Sequence, residues 1–263
     1  VSVGERTLVV LHIDFPAGPI CGDRGPRQYR PGTMIPEYGA LALATLGGGA
    51  AWAVRGRSAQ VLAPSIWHGD RQRRAVALTF DDGPSAGTGE ILETLEAAGA
   101  RATFFQCGVN AERHPDWARA VSTAGHEIGN HTWSHRRLDF ASVTVMREEL
   151  GRAQRVLTEI HGSAPRWFRA PFGVRWIGLG GVQREFGLMG AMWTCMGRDW
   201  KLPSGAIAER VLQSAENGAI ICLHDGRGVA EGADVSQTVA AVRRITRELG
   251  DRGWKMVSLS ELV

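Results

Sequence analysis

Seven short, nearly uncharged apolar runs recur from Ala75 onward in this chain of 263 residues, and no other feature restricts its fold as much. They are Ala75–Phe80, Ala102–Cys107, Glu127–His131, Arg166–Arg169, Leu188–Thr194, Ala219–Leu223 and Trp254–Leu259. Each has the length of a strand, and the stretches between them carry helical spacing. The clearest of these sets Val143, Met146, Leu150, Ala153, Leu157 and Ile160 on one stripe by steps of three and four. Gly99, Gly125, Gly187, Gly218 and Gly253 each stand shortly before a run, where a helix end favours left-handed backbone. Strands alternating with helices pair in parallel, so an α/β sheet is expected, either closed or doubly wound. In both arrangements ligands gather at the carboxyl ends of the strands.

The part before these runs reads differently. Residues 1–37 are rich in Gly, Pro and Arg, with one apolar run at Leu8–Ile13, and little packed structure is expected there. Tyr38 to Val54 carries no charge and is followed by Arg55 and Arg57. It is short for a membrane span and is interrupted by Gly47-Gly48-Gly49, so it reads as a signal-like or anchor-like segment, with a buried helix as the plain alternative. A net charge of +3 comes almost wholly from scattered arginine, since Lys201 and Lys255 are the only lysines. That pattern argues against nucleic acid, whose binders concentrate charge on one face. Cys21, Cys107, Cys195 and Cys222 lack paired spacing and read as free thiols, three of them beside strands.

Reactive side chains cluster at the ends of the apolar runs. The first run closes with Thr79-Phe80-Asp81-Asp82-Gly83-Pro84. Neighbouring carboxylates on an extended backbone point to opposite sides and suit two tasks, although the same residues also make an ordinary polar turn. The third run leads into His131-Thr132-Trp133-Ser134-His135. On a helical turn two histidines four apart face one side and can grip a metal ion. Asp82 would complete a two-histidine, one-carboxylate set with an open position. The fourth run leads into Arg169-Ala170-Pro171-Phe172-Gly173, an arginine able to orient a carboxylate and a turn with free backbone N–H groups. Further on come Asp199-Trp200 and Leu223-His224-Asp225, in which His224 is the candidate for proton transfer near neutral pH.

In this order the motifs resemble those of the NodB-homology polysaccharide deacetylases, carbohydrate esterase family 4, over about residues 60–263. The resemblance implies a distorted (β/α)7–8 barrel at 60–263 and says nothing about 1–59, which composition alone marks as a largely irregular extension with the apolar segment 38–54. It implies that Asp81 is the catalytic base and that Asp82, His131 and His135 hold a divalent metal, zinc first and cobalt second. Arg169 would hold the base, the backbone N–H near Phe172 would face the oxyanion, and Asp199 would tune His224, the general acid. Trp200 would pack the acetyl methyl group.

Two positions depart from the family pattern. Cys222 replaces a leucine, which would reshape the acetyl pocket, and Met196 replaces an aspartate. The implied activity is hydrolysis of N-acetyl groups on an acetylated amino-sugar polysaccharide such as peptidoglycan or chitin. Alternatives are an O-acetyl xylan esterase, a small-molecule amide hydrolase and, from another class, a carbohydrate-binding protein without catalysis. A monomer is expected, in the cell envelope rather than the cytoplasm, with membrane association through 38–54.

Overall fold

The strand Ala75–Asp81 (β2) is buried along its whole length and pairs in parallel with three neighbours, so it organises the molecule. These neighbours are β3 (Ala102–Gln106), β8 (Ala219–His224) and β9 (Lys255–Met256). A parallel strand covered on both faces needs a continuous apolar run, which AVALTF supplies. The computed structural model describes residues 47–263. The described residues belong to one compact unit, Ala44–Val263.

The remaining strands are β1 (Ser65–Ile66), β4 (Glu127–Asn130), β5 (Trp167–Phe168), β6 (Met189–Ala191) and β7 (Cys195–Met196). Their order is β1-β6-β5-β4-β3-β2-β8-β7, all parallel, with β9 added beside β2. One continuous segment supplies both β6 and β7. The Met192 N–H donates to the Ile66 carbonyl and the Thr194 N–H to the Ile220 carbonyl, so this segment crosses from one margin of the sheet to the other. The result is a curled, distorted barrel.

All seven apolar runs contain a strand. β1 and β7 were not expected, because two residues carry no periodicity to detect.

Helices α2 (Ala86–Ala97), α4 (Pro115–Thr123), α5 (Val143–His161), α6 (Leu179–Glu185), α7 (Ser204–Gln213) and α8 (Ser236–Asp251) surround the sheet, with shorter α3 (Gly108–Arg113) and α9 (Leu259–Leu262). On α5 the stripe buries Met146, Leu150, Ala153 and Leu157, while Val143 stays exposed at its start. The five glycines before the strands all have φ between 59° and 77°, backbone that a side chain would strain. Cys107, Cys195 and Cys222 are free and buried, as expected, and Cys21 lies outside the described residues.

Of the uncharged run 38–54, only 47–54 falls within the described residues. It is helical through residue 55 (α1) despite its three glycines, and its residues up to Trp52 are exposed rather than buried. Among the described residues no helix is long and apolar enough to cross a membrane. Residues 54–65 bind to the barrel through Arg175. Its backbone N–H donates to the Val54 carbonyl, and its guanidinium donates to the carbonyls of Gly56 and Ala59 and to Ser65 Oγ.

Candidate active site

β2, β4, β5, β7 and β8 end at one mouth, and each releases a reactive side chain there. Asp81 and His224 are register partners on adjacent strands, so one carboxylate and one imidazole stand level at the rim. A ring nitrogen of His224 and a carboxylate oxygen of Asp81 lie within 4.8 Å. Both line a cavity of about 570 Å³ together with Asp82, His131, His135, Phe172, Trp200 and Arg227.

Asp81 is fixed from below. Arg169, 1% exposed, donates from Nη1 to Asp81 Oδ1 at 2.7 Å and to Thr79 Oγ1 at 2.7 Å. Its other nitrogens reach the carbonyls of Ala191 (3.0 Å) and Met192 (3.1 Å), and its plane lies 4.2 Å over the Phe105 ring. A buried guanidinium needs all of these partners, and with them it holds the carboxylate in one rotamer. Cys222 is also beneath Asp81, its thiol donating to Oδ2 at 3.4 Å. Cys222 is fully buried and does not line the cavity, so it acts on Asp81 from behind rather than as a wall of an acetyl pocket.

Asp82 departs from the expected extended backbone. Its φ is +75°, and this turn, rather than strand alternation, separates it from Asp81. The helical turn expected over His131–His135 is likewise absent: Thr132 and His135 have φ of +67° and +57°. That loop is fixed by Glu149 on α5, whose carboxylate accepts from the Ser134 N–H and Oγ. The two histidines still converge, their Nε2 atoms lying 3.3 Å (His131) and 3.0 Å (His135) from Asp82 Oδ1. His131 Nδ1 is engaged with the Arg169 carbonyl at 2.8 Å, which aims Nε2 at the site.

Asp82 Oδ1 is buried without a conventional hydrogen-bond partner. Burial would raise the pKa of this carboxyl, but the two imidazoles that face it hold it well below the usual carboxylate range. A bare carboxylate oxygen facing two imidazole nitrogens fits a divalent cation of borderline softness. The chain around Asp82 is tight: a Cβ at Gly83 would lie 2.1 Å from Asp225 Oδ2, and Asn110 Nδ2 holds the Asp82 carbonyl at 2.7 Å.

His224 is set by Asp199. Its Nδ1 lies 2.8 Å from Asp199 Oδ1, and its backbone N–H donates to Oδ2 at 2.8 Å. Thr238 Oγ1, from α8, donates to the same Oδ2 at 2.7 Å. Burial pulls the His224 pKa down, yet Asp199, with Asp82 and Asp81 adding charge, pushes it up to about 9. Asp225, the next residue, is buried, and burial lifts its carboxyl to about 7 although Thr88 donates to it.

Phe172 has φ +58° and is 58% exposed at the rim. The hydrogen bonds of its turn run from Gly173 N–H to the Ala170 carbonyl and from Val174 N–H to the Pro171 carbonyl, leaving the Phe172 N–H outside both. Trp200 is 50% exposed, edge-on to His224 with centroids 5.2 Å apart. Met196 also lines the cavity.

Sequence patterns singled out the reactive groups, with Thr79 inside the first motif, but missed other residues that fix them: Asn110, Glu149, Thr238 and Arg227, whose Nη2 donates to the Asp199 carbonyl at 3.0 Å. These carry no local motif, and they reach the site only through the fold.

Comparison with known proteins covers most of the chain. The polysaccharide deacetylase family model matches residues 68–189. A peptidoglycan-N-acetylglucosamine deacetylase of Bacillus cereus is 34% identical over 201 residues, 75% of this chain and 92% of the relative. A chitooligosaccharide deacetylase of Azorhizobium caulinodans is 35% identical over 198 residues, 72% of this chain and 94% of the relative. Among solved structures, the Bc1960 peptidoglycan N-acetylglucosamine deacetylase superposes with a TM-score of 0.70 at 31% identity, covering 74% of this chain and 91% of that one.

Proposed function

Because this chain belongs to the polysaccharide deacetylase family, carbohydrate esterase family 4, we propose that it deacetylates N-acetylglucosamine-containing glycan with Asp81 as base and His224 as acid. It is a metal-dependent hydrolase of carbon–nitrogen bonds, releasing acetate. The observation that carries the assignment of roles is the pairing of two differently restrained groups at one rim. Asp81 is locked by Arg169, His224 is locked by Asp199, and the two stand level on β2 and β8.

We assign the metal to Asp82, His131 and His135, and we take it to be zinc, with cobalt as the functional substitute. Two imidazoles and one carboxylate suit either ion and leave an open position. When bound there, such an ion polarises the acetyl carbonyl and makes water acidic enough for a carboxylate base. The protein's own groups do the rest. Asp81, held in one rotamer, accepts the proton of the attacking water. The Phe172 N–H donates to the oxygen on which negative charge develops, an interaction typically worth about 3–4 kcal/mol. His224 delivers a proton to the departing nitrogen, and Asp199 keeps it protonated near neutrality. Trp200, edge-on to His224 in the cavity wall, packs the acetyl methyl group.

That last restraint favours an amide over an ester substrate. An amine leaves only after protonation, whereas an alkoxide leaves more readily, so an acid held to about 9 is needed more for N-acetyl than for O-acetyl hydrolysis. The glycan is proposed as peptidoglycan or chitin-like from the relatives' substrates. The test is acetate release from chitooligosaccharides, peptidoglycan and acetylated xylan under matched conditions. Turnover of xylan with neither amino-sugar polymer attacked would overturn the reading.

A further inference from the structure

Arg169 takes Asp81 Oδ1 and so leaves Oδ2 facing Cys222, whose Sγ lies 3.4 Å away. One ring nitrogen of His224 lies within 4.8 Å of both that sulfur and a carboxylate oxygen of Asp81. Nδ1 of His224 is taken by Asp199 at 2.8 Å, which leaves Nε2 to bind something else. Carboxylate, thiol and imidazole therefore meet at the ends of β2 and β8, apart from the set of Asp82, His131 and His135. The hydrolytic scheme makes no use of the thiol.

We infer that Asp81, Cys222 and His224 form a second metal site, which takes a thiophilic divalent cation and stops turnover by occupying the base and the acid together. Only the inhibition rests on the deacetylase reading; the site itself rests on geometry. Zinc binds sulfur at about 2.3 Å and oxygen at about 2.0 Å, and those lengths span the 3.4 Å between Sγ and Oδ2 at an angle of about 104°, close to tetrahedral. A nitrogen ligand at tetrahedral angles would sit about 3.5 Å from the sulfur, so the imidazole needs to close by about 1.3 Å at most. Asp199 behind that imidazole is the kind of carboxylate that orients a metal-bound histidine. With the thiol ionised, Asp81, Cys222 and Asp199 carry three negative charges against the one positive charge of Arg169, and a divalent ion offsets the excess. The ion enters from the cavity, which Asp81 and His224 line, and takes the place of the thiol proton against Oδ2. That proton and the one on His224 pass to solvent. Both are firmly held: burial, then Asp81, raises the thiol pKa well above its ordinary value, and Asp199 raises that of His224 against the effect of burial. This ion is therefore bound more weakly than the one at Asp82, and a soft cation such as cadmium is favoured over zinc. Leucine at position 222, the residue of the family pattern, would leave two ligands and no site.

The experiment titrates the full chain, carrying one zinc ion, with cadmium and follows the ultraviolet cadmium–thiolate charge-transfer band. The Asp82 set contains no thiol, so the band does not report that set. The unaltered chain should keep its zinc, take up one cadmium ion, show the band and lose acetate release in step with it. Cys222→Ser keeps a hydrogen-bond donor beside Asp81 but removes the sulfur, and a thermal melt checks its fold. It should lose the band, and its half-inhibiting cadmium concentration, measured against its own uninhibited rate, should rise by about tenfold or more. Cys195→Ser, which alters a buried thiol on β7, should keep the band. No second ion on the unaltered chain, a band that survives Cys222→Ser, or cadmium inhibition unchanged by that substitution would each overturn the site. Absence of acetate release from N-acetylglucosamine oligomers and from peptidoglycan by the unaltered chain would bring down the deacetylase reading, while the second ion and the band would still decide the site.

Discussion

Asp81 and Asp82 are consecutive, yet the backbone sends them to different partners, and their substitutions should separate cleanly. Asp81→Asn leaves all three metal-directed side chains in place, so metal content should stay close to stoichiometric. Its turnover should fall by about 10²–10⁴-fold, the range for a positioned general base. Asp82→Asn should lose the ion first and regain part of its activity at high zinc. Metal analysis alongside acetate release reads both; loss of the ion in the first variant and retention in the second would reverse the two roles. His224 offers a test by pH. It serves while protonated, so activity should persist below about 9 and decline as pH rises through that value. Asp199→Asn removes the charge and bond that raise the His224 pKa, so the alkaline limb of kcat should move to lower pH. A limb that stays in place would remove Asp199 from this role.

At the scale of elements, the site is a set of strand ends joined to helices by single side chains. α5 buries its apolar stripe in the core and turns Glu149 toward the loop of His135, where it accepts from Ser134 at two atoms. Glu149→Ala should leave the melt nearly unchanged but weaken metal binding by about ten- to hundredfold, as expected for a partner that orients a ligand loop. Titration with zinc under competition from a chelator measures it. Arg169 joins β5 to β2 and to the segment carrying β6. Arg169→Met would strand Thr79, Asp81 and two carbonyls in a closed interior. It should therefore cost roughly 3–5 kcal/mol in chemical denaturation as well as activity.

For the molecule as a whole, the contacts of Arg175 with Val54, Gly56, Ala59 and Ser65 mark where a shortened chain can begin. A chain beginning at residue 47 keeps the strap from Val54 to Ser65 that this arginine binds, and it should match the full chain in melting temperature and acetate release. One beginning at residue 60 deprives a buried guanidinium of the carbonyls of Gly56 and Ala59 and should be less stable by about 1–3 kcal/mol. Equal stability of the two would place the boundary at 60, as the sequence motifs alone suggested.

Sequence alone determined the alternation of buried strands and helices, because parallel strands covered on both faces leave an unmistakable apolar run and helices against them leave a stripe. It also determined the list of reactive groups, because Asp81, Asp82, His131, His135, Arg169 and His224 each close or follow such a run, where parallel sheets present their ligands. It did not determine how these groups face one another. The left-handed backbone at Asp82, Thr132, His135 and Phe172 is costly locally and is held only by contacts from elsewhere. Examples are Asn110 on the Asp82 carbonyl and Glu149 on the histidine loop. The two-residue strands β1 and β7 are of the same kind: they exist only because a partner strand lies beside them. Local pattern fixes what is buried and what is reactive, while long-range hydrogen bonds, which leave no local pattern, decide which reactive atoms meet.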